Sequence, residues 1–158
     1  TNIIADDCMI QGTVRCFSEE VLQAVEKRMA KISQDLCLAF DCEGQLDFRR
    51  AYPATINHAA QAHYMREVAE DLLGQNQVVD FTPTMGSEDF SFFLQEKPGC
   101  YFALGNGDGD HRDLLHGMGP CTLHNPSYDF NDALIPIGAS LWVRLVEARL
   151  GKGGIVCE

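Results

Sequence analysis

His124 is the residue whose type and surroundings best fit metal chemistry. It lies in Leu123-His124-Asn125-Pro126, after an apolar stretch and just ahead of a long helical pattern. Loops held by rigid elements commonly display ligands, and a neutral imidazole suits a divalent metal such as Zn, Mn or Co. Its position in the sequence is equally compatible with a structural or surface histidine, so both interpretations stay open here.

Two patterns near His124 resemble other metal sites but lack ligands that such sites need. Cys121 and His124 have the spacing of half a structural zinc site, but no second pair of ligands is evident. Asp108, Asp110 and Asp113 resemble the start of a calcium loop, but the downstream Glu is absent. We therefore expect neither of these closed sites.

Two further places in the sequence are suited to an anionic ligand. Arg15 projects from the polar face of a predicted strand, and its planar fork of donors matches a carboxylate. Gly86 and Ser87 stand at a predicted helix start, where free backbone N–H groups bind an anion or polarise a carbonyl. An ordinary surface arginine and simple helix capping are the respective alternatives.

Composition limits the partners of the chain. It has 158 residues, 46% of them hydrophobic, and a formal net charge of −11. This balance predicts a folded core and argues against nucleic acid and anionic membrane surfaces as partners. No apolar run is long enough to span a bilayer. Seven cysteines without a Cys-x-x-Cys pair indicate reduced structural thiols in a cytoplasmic protein.

The elements that must position Arg15 form a strand–helix–strand pattern. Alternating residues predict a half-buried strand over 9–17, and a second strand is predicted over about 44–52. Between them, Ser18 is a natural N-cap for an amphipathic helix that ends near Ala39. Strand, helix and strand over about fifty residues suit half of a small α+β sandwich.

The pattern changes at Pro53. Asn57 is predicted to cap a second helix that closes at Gly74, with His58 and His63 on its surface. Shorter elements follow: strands over 77–81 and 100–104, a helix over 87–94, and a final helix from about 132 to 150. Gly151 stops the final helix, and the tail beyond it is expected to be loose.

Six motifs occur in one order along the chain: Asn2-Ile3-Ile4-Ala5-Asp6, Gly12-Thr13-Val14-Arg15, Tyr52-Pro53-Ala54-Thr55-Ile56-Asn57, Met85-Gly86-Ser87-Glu88-Asp89-Phe90, Leu123-His124-Asn125-Pro126 and Asp129-Phe130-Asn131-Asp132. Together they resemble the hippurate hydrolases and the plant indole-acetyl-amino-acid hydrolases, within the wider group of dimetal amidohydrolases and peptidases. The resemblance extends over nearly the whole chain to about Leu150. The family usually has Pro where this chain has Ala5.

The resemblance implies an α/β fold with two parts. Residues 1–53 match the second half of an α+β, ferredoxin-like lid that usually mediates dimerisation. Residues 54–158 match the last part of an α/β catalytic sandwich that holds two divalent metals (Zn, Mn, Co or Ni). We therefore expect the chain to be the C-terminal portion of a longer parent protein that forms a homodimer or larger oligomer.

The resemblance also assigns roles to single residues. His124 matches a metal ligand, and Asn2 and Arg15 match lid residues that hold the substrate's carboxylate, often across the dimer. The turn at Gly86 and Ser87 matches the wall of the substrate pocket. No catalytic residue of the family falls in this chain, because the other metal ligands and the catalytic Glu lie upstream.

The expected function is cleavage of the amide bond of N-acyl amino acids, small molecules like hippurate, by metal-activated water. A dinuclear site needs several ligands and a base, so the chain alone is expected to be inactive. The rival interpretation is a non-catalytic fragment for dimerisation or binding.

Overall fold

A computed structural model describes residues 2–107 and 123–151 of the chain. The chain divides into two compact units, one within Thr1–Ile56 and Thr82–Lys97 and the other within Asn57–Phe81 and Pro98–Glu158. Along the chain, the first boundary between the two units therefore lies between Ile56 and Asn57. The assignment of 1–53 to a lid and of 54–158 to a catalytic domain stays a prediction.

Several predicted features lie outside the described residues. They are the three aspartates of the calcium-like pattern, Cys121 of the half zinc pattern, and the tail from residue 152 to 158. The five cysteines within the described ranges, Cys8, Cys16, Cys37, Cys42 and Cys100, are all free thiols. Partial burial raises the pKa of the Cys100 thiol, because desolvation disfavours the thiolate.

The first unit is organised by helix α1 (Glu19–Ala39), which confirms the predicted helix and its N-cap. The Ser18 hydroxyl accepts a hydrogen bond from the Val21 N–H at 3.3 Å. Glu19 and Glu20 occupy the first turn, where the helix dipole favours negative charge. The local sequence was therefore sufficient to place this helix start.

Helix α1 ends in a Schellman motif. The N–H of Asp41 donates to the Leu38 carbonyl at 3.2 Å, and the N–H of Cys42 donates to the Cys37 carbonyl at 2.9 Å. Asp41 has a φ of 55° and thus takes the left-handed conformation that glycine usually supplies at this position. The motif turns the chain sharply, so that the following residues run back along α1.

The segment 44–50 returns along α1 and keeps the alternation predicted for a strand. Gly44, Leu46 and Phe48 are half-buried, whereas Gln45, Asp47 and Arg49 are exposed. Gly44 lies against the C-terminal half of α1, and Arg50 reaches Glu19 and Glu26 in its N-terminal half. The segment is therefore antiparallel to the helix and fastened at both ends.

Strands are where the expected and observed secondary structure differ. No residue within 2–107 and 123–151 is assigned to a β-strand, and Gln77, the first residue of the predicted strand 77–81, ends a short 3-10 helix. A strand exists only as part of a ladder with a neighbour, whereas alternation in the sequence reports burial of one face alone. The predicted α/β class stays a prediction.

The second unit is built on the packing of α2 (Ala59–Leu73) against α4 (Ile135–Leu150). Ala69 of α2 and Leu141 of α4 are buried, and the Tyr64 hydroxyl donates to the Leu145 carbonyl at 2.5 Å. Gly74 and Gly151 end the two helices with positive φ, as predicted. Short 3-10 helices lie at Gln75–Gln77 and at Asp132–Leu134, directly before α4.

The prediction that Asn57 caps α2 is wrong. Its side-chain amide donates to the Tyr101 carbonyl and accepts from the Tyr101 N–H, both at 2.7 Å. His58 occupies the N-cap position, and its backbone N–H and its Nδ1 contact the Gly99 carbonyl and N–H at 3.1 and 3.2 Å. His58 is therefore half-buried and structural, whereas His63 is exposed as predicted.

Two asparagines fasten the segment that follows His124. The Asn106 side chain donates to the Asp129 carbonyl at 2.8 Å and accepts from the Asn131 N–H at 2.9 Å. The Asn131 amide donates in return to the Asn106 carbonyl at 3.2 Å and accepts from the Ala133 N–H at 3.1 Å. This reciprocal pair, the Asn106–Asn131 clamp, fixes the chain between the His124 turn and α4.

Gly44→Ala should destabilise the first unit, because a Cβ there would lie 2.5 Å from the Ser33 carbonyl oxygen and 2.7 Å from the Cys37 sulfur. The oxygen belongs to the helix backbone and cannot move aside cheaply, so we expect a loss of about 1–3 kcal/mol. Urea unfolding measures the loss. Gly12→Ala is the control, since a Cβ at Gly12 would meet no described residue beyond its chain neighbours within 4 Å. Equal losses in the two variants would contradict the packing.

Asn106→Ala should loosen the segment after His124, because the part-buried Asn131 N–H and Asp129 carbonyl lose their partner. Such a loss costs about 1–3 kcal/mol, and it should appear as faster hydrogen exchange at the Asn131 amide. The control is Asn76→Ala, at an exposed asparagine in the same unit. Unchanged exchange at Asn131 in Asn106→Ala would contradict the clamp.

Candidate functional site

The structure brings together two of the residues predicted to bind substrate. The Nε of Arg15 donates to the Ser87 hydroxyl at 3.0 Å, although 72 positions separate them in the sequence. The Nη1 of the same guanidinium donates to the Thr13 hydroxyl at 3.1 Å. All three residues are exposed and belong to the first unit. We call this group the Arg15 cluster.

Arg15 keeps donors for a ligand. A guanidinium carries five N–H groups, of which Ser87 and Thr13 each take one. The remaining three have no hydrogen-bond partner among residues 2–107 and 123–151, and no carboxylate in those ranges lies within salt-bridge distance. Arg15 is thus an accessible cation in a protein with 23 acidic and 12 basic residues.

The local sequence explains why Thr13 and Arg15 lie side by side. Residues two apart in an extended chain point to the same face, and Thr13 and Arg15 are exposed while Val14 and Cys16 are half-buried. The polar face predicted here is therefore present. The predicted apolar face extends less far than expected, since Ile10 is 93% exposed.

Gly86 and Ser87 precede a helix but do not form its start. Helix α3 (Phe90–Glu96) begins later than predicted, with Asp89 in the N-cap position and no side-chain cap. The first turn is tight, because the Glu88 and Asp89 carbonyls accept from N–H groups three residues on. The predicted helix start at Ser87 is therefore wrong, whereas a role of Gly86 and Ser87 in ligand binding stays a prediction. Ser87 contacts Arg15 through its side chain.

Helix α3 anchors the loop that carries Ser87. Ser91 and Leu94 are buried, and the Ser91 hydroxyl donates to the Glu88 carbonyl at 2.6 Å. The ring of Phe92 packs on Tyr52 with centroids 5.8 Å apart. Gly86 is exposed, and among the described residues beyond its chain neighbours a Cβ there would come within 4 Å of the Thr84 hydroxyl alone, at 3.6 Å.

Asn2 is the predicted substrate contact that the structure does not connect to the Arg15 cluster. It is exposed and forms no hydrogen bond to any described residue. Thr13, in contrast, is a member of the Arg15 cluster that the sequence did not predict as a site residue. The motif Gly12-Thr13-Val14-Arg15 contains the signal that could have identified it, because positions i and i+2 of an extended segment share a face.

His124 lies in the second unit, in a turn with unusual backbone geometry. Its φ is 65°, and a residue other than glycine rarely adopts this left-handed conformation. The Asn125 side chain accepts from the Ser127 N–H at 2.8 Å, and its carbonyl accepts from the Tyr128 N–H at 2.9 Å. The turn displays an exposed imidazole directly before this hydrogen-bonded segment.

The chemistry of this imidazole fits a divalent metal, but the described residues place too few further ligands beside it. No group of three or more His, Cys, Asp or Glu within 2–107 and 123–151 is placed to hold a metal ion. His124 is therefore a single candidate ligand.

As for membranes, none of the described helices has the length and apolarity that a bilayer crossing requires.

Three relatives illustrate what the chain is similar to. IAA-amino acid hydrolase ILR1-like 4 of Arabidopsis thaliana is 31% identical over 144 residues, which cover 89% of this chain and 31% of the relative. Hippurate hydrolase of Campylobacter jejuni is 33% identical over 145 residues, covering 91% and 35%. Thermostable carboxypeptidase 1 of Saccharolobus solfataricus is 37% identical over 105 residues, covering 66% and 26%.

The chain thus spans about a third or less of the length of these relatives. No solved structure matched it. The family described as Peptidase family M20/M25/M40 matches residues 7–148, a range that contains Arg15, Ser87 and His124. This family is one of hydrolases that are generally dependent on two metals. Because the match extends over most of the sequence, the chain belongs to peptidase family M20/M25/M40.

Proposed function

We propose that the chain provides the carboxylate-binding group and one metal ligand of a metal-dependent amidohydrolase that cleaves N-acyl amino acids. The observation that supports this most is the contact between Arg15 and Ser87, which joins two motifs of the resemblance across 72 positions. Two relatives are named as hydrolases of an amino-acid conjugate or of hippurate, which agrees with this substrate class.

The substrate class follows from the charge of the Arg15 cluster. An N-acyl amino acid carries one free carboxylate, and an arginine with unpaired N–H groups binds such a group by charge-assisted hydrogen bonds. Two other arginines of the first unit are occupied by protein carboxylates, Arg49 by Asp47 and Arg50 by Glu19 and Glu26. Arg15 has no such carboxylate among the described residues, and two hydroxyls hold its guanidinium in place. It is therefore available to an anion from outside the chain.

His124 would be one of the ligands of two divalent metals, among which Zn, Mn, Co and Ni all suit an imidazole. When bound, such metals lower the pKa of water and so supply a nucleophile for the amide carbonyl at neutral pH. Further ligands and a general base are proposed to lie in a longer parent protein, a cytoplasmic homodimer or larger oligomer. On this proposal the chain alone does not turn over substrate.

The test is an assay of the full-length gene product that carries this chain. Purified protein supplied with Zn, Mn, Co or Ni should hydrolyse N-benzoylglycine, lose activity with a chelator and regain it when metal returns. The chain of residues 1–158 should show no turnover under the same conditions. A full-length protein that hydrolyses no N-acyl amino acid with any of these metals would favour the rival interpretation, a dimerisation or binding fragment.

His124→Ala in the full-length protein should lower both bound metal and activity. Loss of a ligand weakens the site that activates water, so we expect kcat to fall by orders of magnitude, about 100-fold or more. Metal content by elemental analysis and kcat with N-benzoylglycine are the measurements. The control is His63→Ala, at an exposed histidine beside Glu67 on α2. Wild-type metal content in His124→Ala would refute the assignment.

Arg15→Ala should depress kcat/KM for free-acid substrates by roughly 10- to 1,000-fold, at about 1.4 kcal/mol per decade. The amide of N-benzoylglycine, which has no carboxylate, should be hydrolysed poorly by wild type and be nearly indifferent to the mutation. Arg15→Lys should restore only part of the loss, because an ammonium lacks the planar fork.

Arg28→Ala is the matched control for Arg15→Ala. Arg28 is exposed on α1, and no salt bridge joins it to another described residue. Its removal changes the net charge equally but should leave both substrates unaffected. If Arg15→Ala harms the acid and the amide to the same degree, Arg15 is structural and the carboxylate is bound elsewhere.

A further inference from the structure

We propose that Thr13 and Ser87 are positioning residues that orient the Arg15 guanidinium so that its remaining donors face a ligand carboxylate. This inference rests on the proposed function and extends it. Thr13 gains a role that the motif resemblance does not give it. Ser87, expected as a wall of the pocket, acts through Arg15.

The two contacts fix the orientation of a flexible side chain. Ser87 accepts from Nε and Thr13 accepts from Nη1, so the guanidinium is held at two different nitrogens. One hydrogen bond would let the planar group rotate about the bond direction, whereas two define both its plane and its rotation. A guanidinium whose orientation is already set loses less freedom when a ligand binds.

Three donors of the guanidinium remain for a ligand. Both hydrogens of Nη2 and one of Nη1 have no partner within the described parts of the chain, so these terminal nitrogens are where a carboxylate can bind.

The nature of the acceptors separates Arg15 from a structural arginine. Arg50 in the same unit is held by carboxylates, since Nε and Nη2 donate to Glu26 at 3.2 and 2.6 Å and Nη1 donates to Glu19. Its charge is cancelled within the protein. The hydroxyls around Arg15 give comparable geometric restraint without cancelling its charge. A cation held only by neutral groups keeps its full attraction for an anion.

The kinetic test uses four variants of the full-length protein: Thr13→Val, Thr13→Ser, Ser87→Ala, and Thr82→Val as the control. Thr82 is an exposed threonine of the same unit without a hydrogen bond to another described residue. We expect Thr13→Val and Ser87→Ala to raise KM for N-benzoylglycine by about 3- to 30-fold with kcat nearly unchanged. Thr13→Ser keeps the hydroxyl and should stay near wild type, as should Thr82→Val.

Substrate comparison distinguishes positioning from general damage. The amide of N-benzoylglycine should show no change of KM in any of the four variants. Valine has nearly the shape of threonine but lacks its hydroxyl. Equal increases of KM in Thr13→Val and Thr13→Ser, or equal increases for the acid and the amide, would therefore overturn the positioning role. A fall in kcat with unchanged KM would overturn it as well.

A spectroscopic measurement tests the cluster without any activity. The Arg15 Nε–H signal, assigned by its loss in Arg15→Lys, should exchange with solvent faster in Ser87→Ala than in wild type. Unchanged exchange would overturn the contact itself. If exchange responds but Arg15→Ala leaves the kinetics unaltered, the proposed carboxylate-binding role fails. If Arg15→Ala impairs the free acid and Thr13→Val does not, only the positioning role of Thr13 fails.

Discussion

Hydrogen bonds from polar side chains join the parts of each unit that are far apart in sequence. Arg15 reaches Ser87 in the first unit, and in the second unit Asn57 pairs with Tyr101 and Asn106 with Asn131. Each asparagine offers an amide that donates and accepts at once, as a neighbouring strand would. The asparagine contacts secure segments that lack a ladder in the described residues, whereas the contact of Arg15 with Ser87 sets the orientation of the guanidinium in the candidate site.

Local signals made the helices predictable and left the contacts between segments unpredictable. Ser18, Gly74 and Gly151 mark helix ends because caps are satisfied within a few residues. The prediction that Asn57 caps a helix was wrong because its side-chain amide pairs with the backbone of Tyr101, 44 positions away, and does not cap α2. The contact between Arg15 and Ser87 likewise cannot be predicted from the spacing of the two residues in the sequence. Only the motif resemblance assigned both residues to one site.

The strand predictions show a different limit of sequence. Over 44–50 the burial alternates with a period of two, as the sequence indicates, yet the described residues form no ladder. Side-chain alternation specifies which face is covered, and here α1 covers it. Pairing with another strand is a separate condition that depends on residues elsewhere. For His124, likewise, the sequence identified one candidate metal ligand. A metal site needs several ligands, and no group of three or more lies together among the described residues.

Energetics separate the Arg15 cluster from the contacts that maintain the fold. Exposed hydrogen bonds contribute little to stability, on the order of 0–1 kcal/mol, because water replaces either partner. Thr13 and Ser87 are exposed, whereas Asn106 and Asn131 are half-buried and leave unsatisfied groups when cut. The contact of Arg15 with Ser87, across 72 positions, therefore adds little to the folded state. A small contribution to stability is what the proposed function predicts for hydroxyls that orient Arg15 toward a ligand carboxylate.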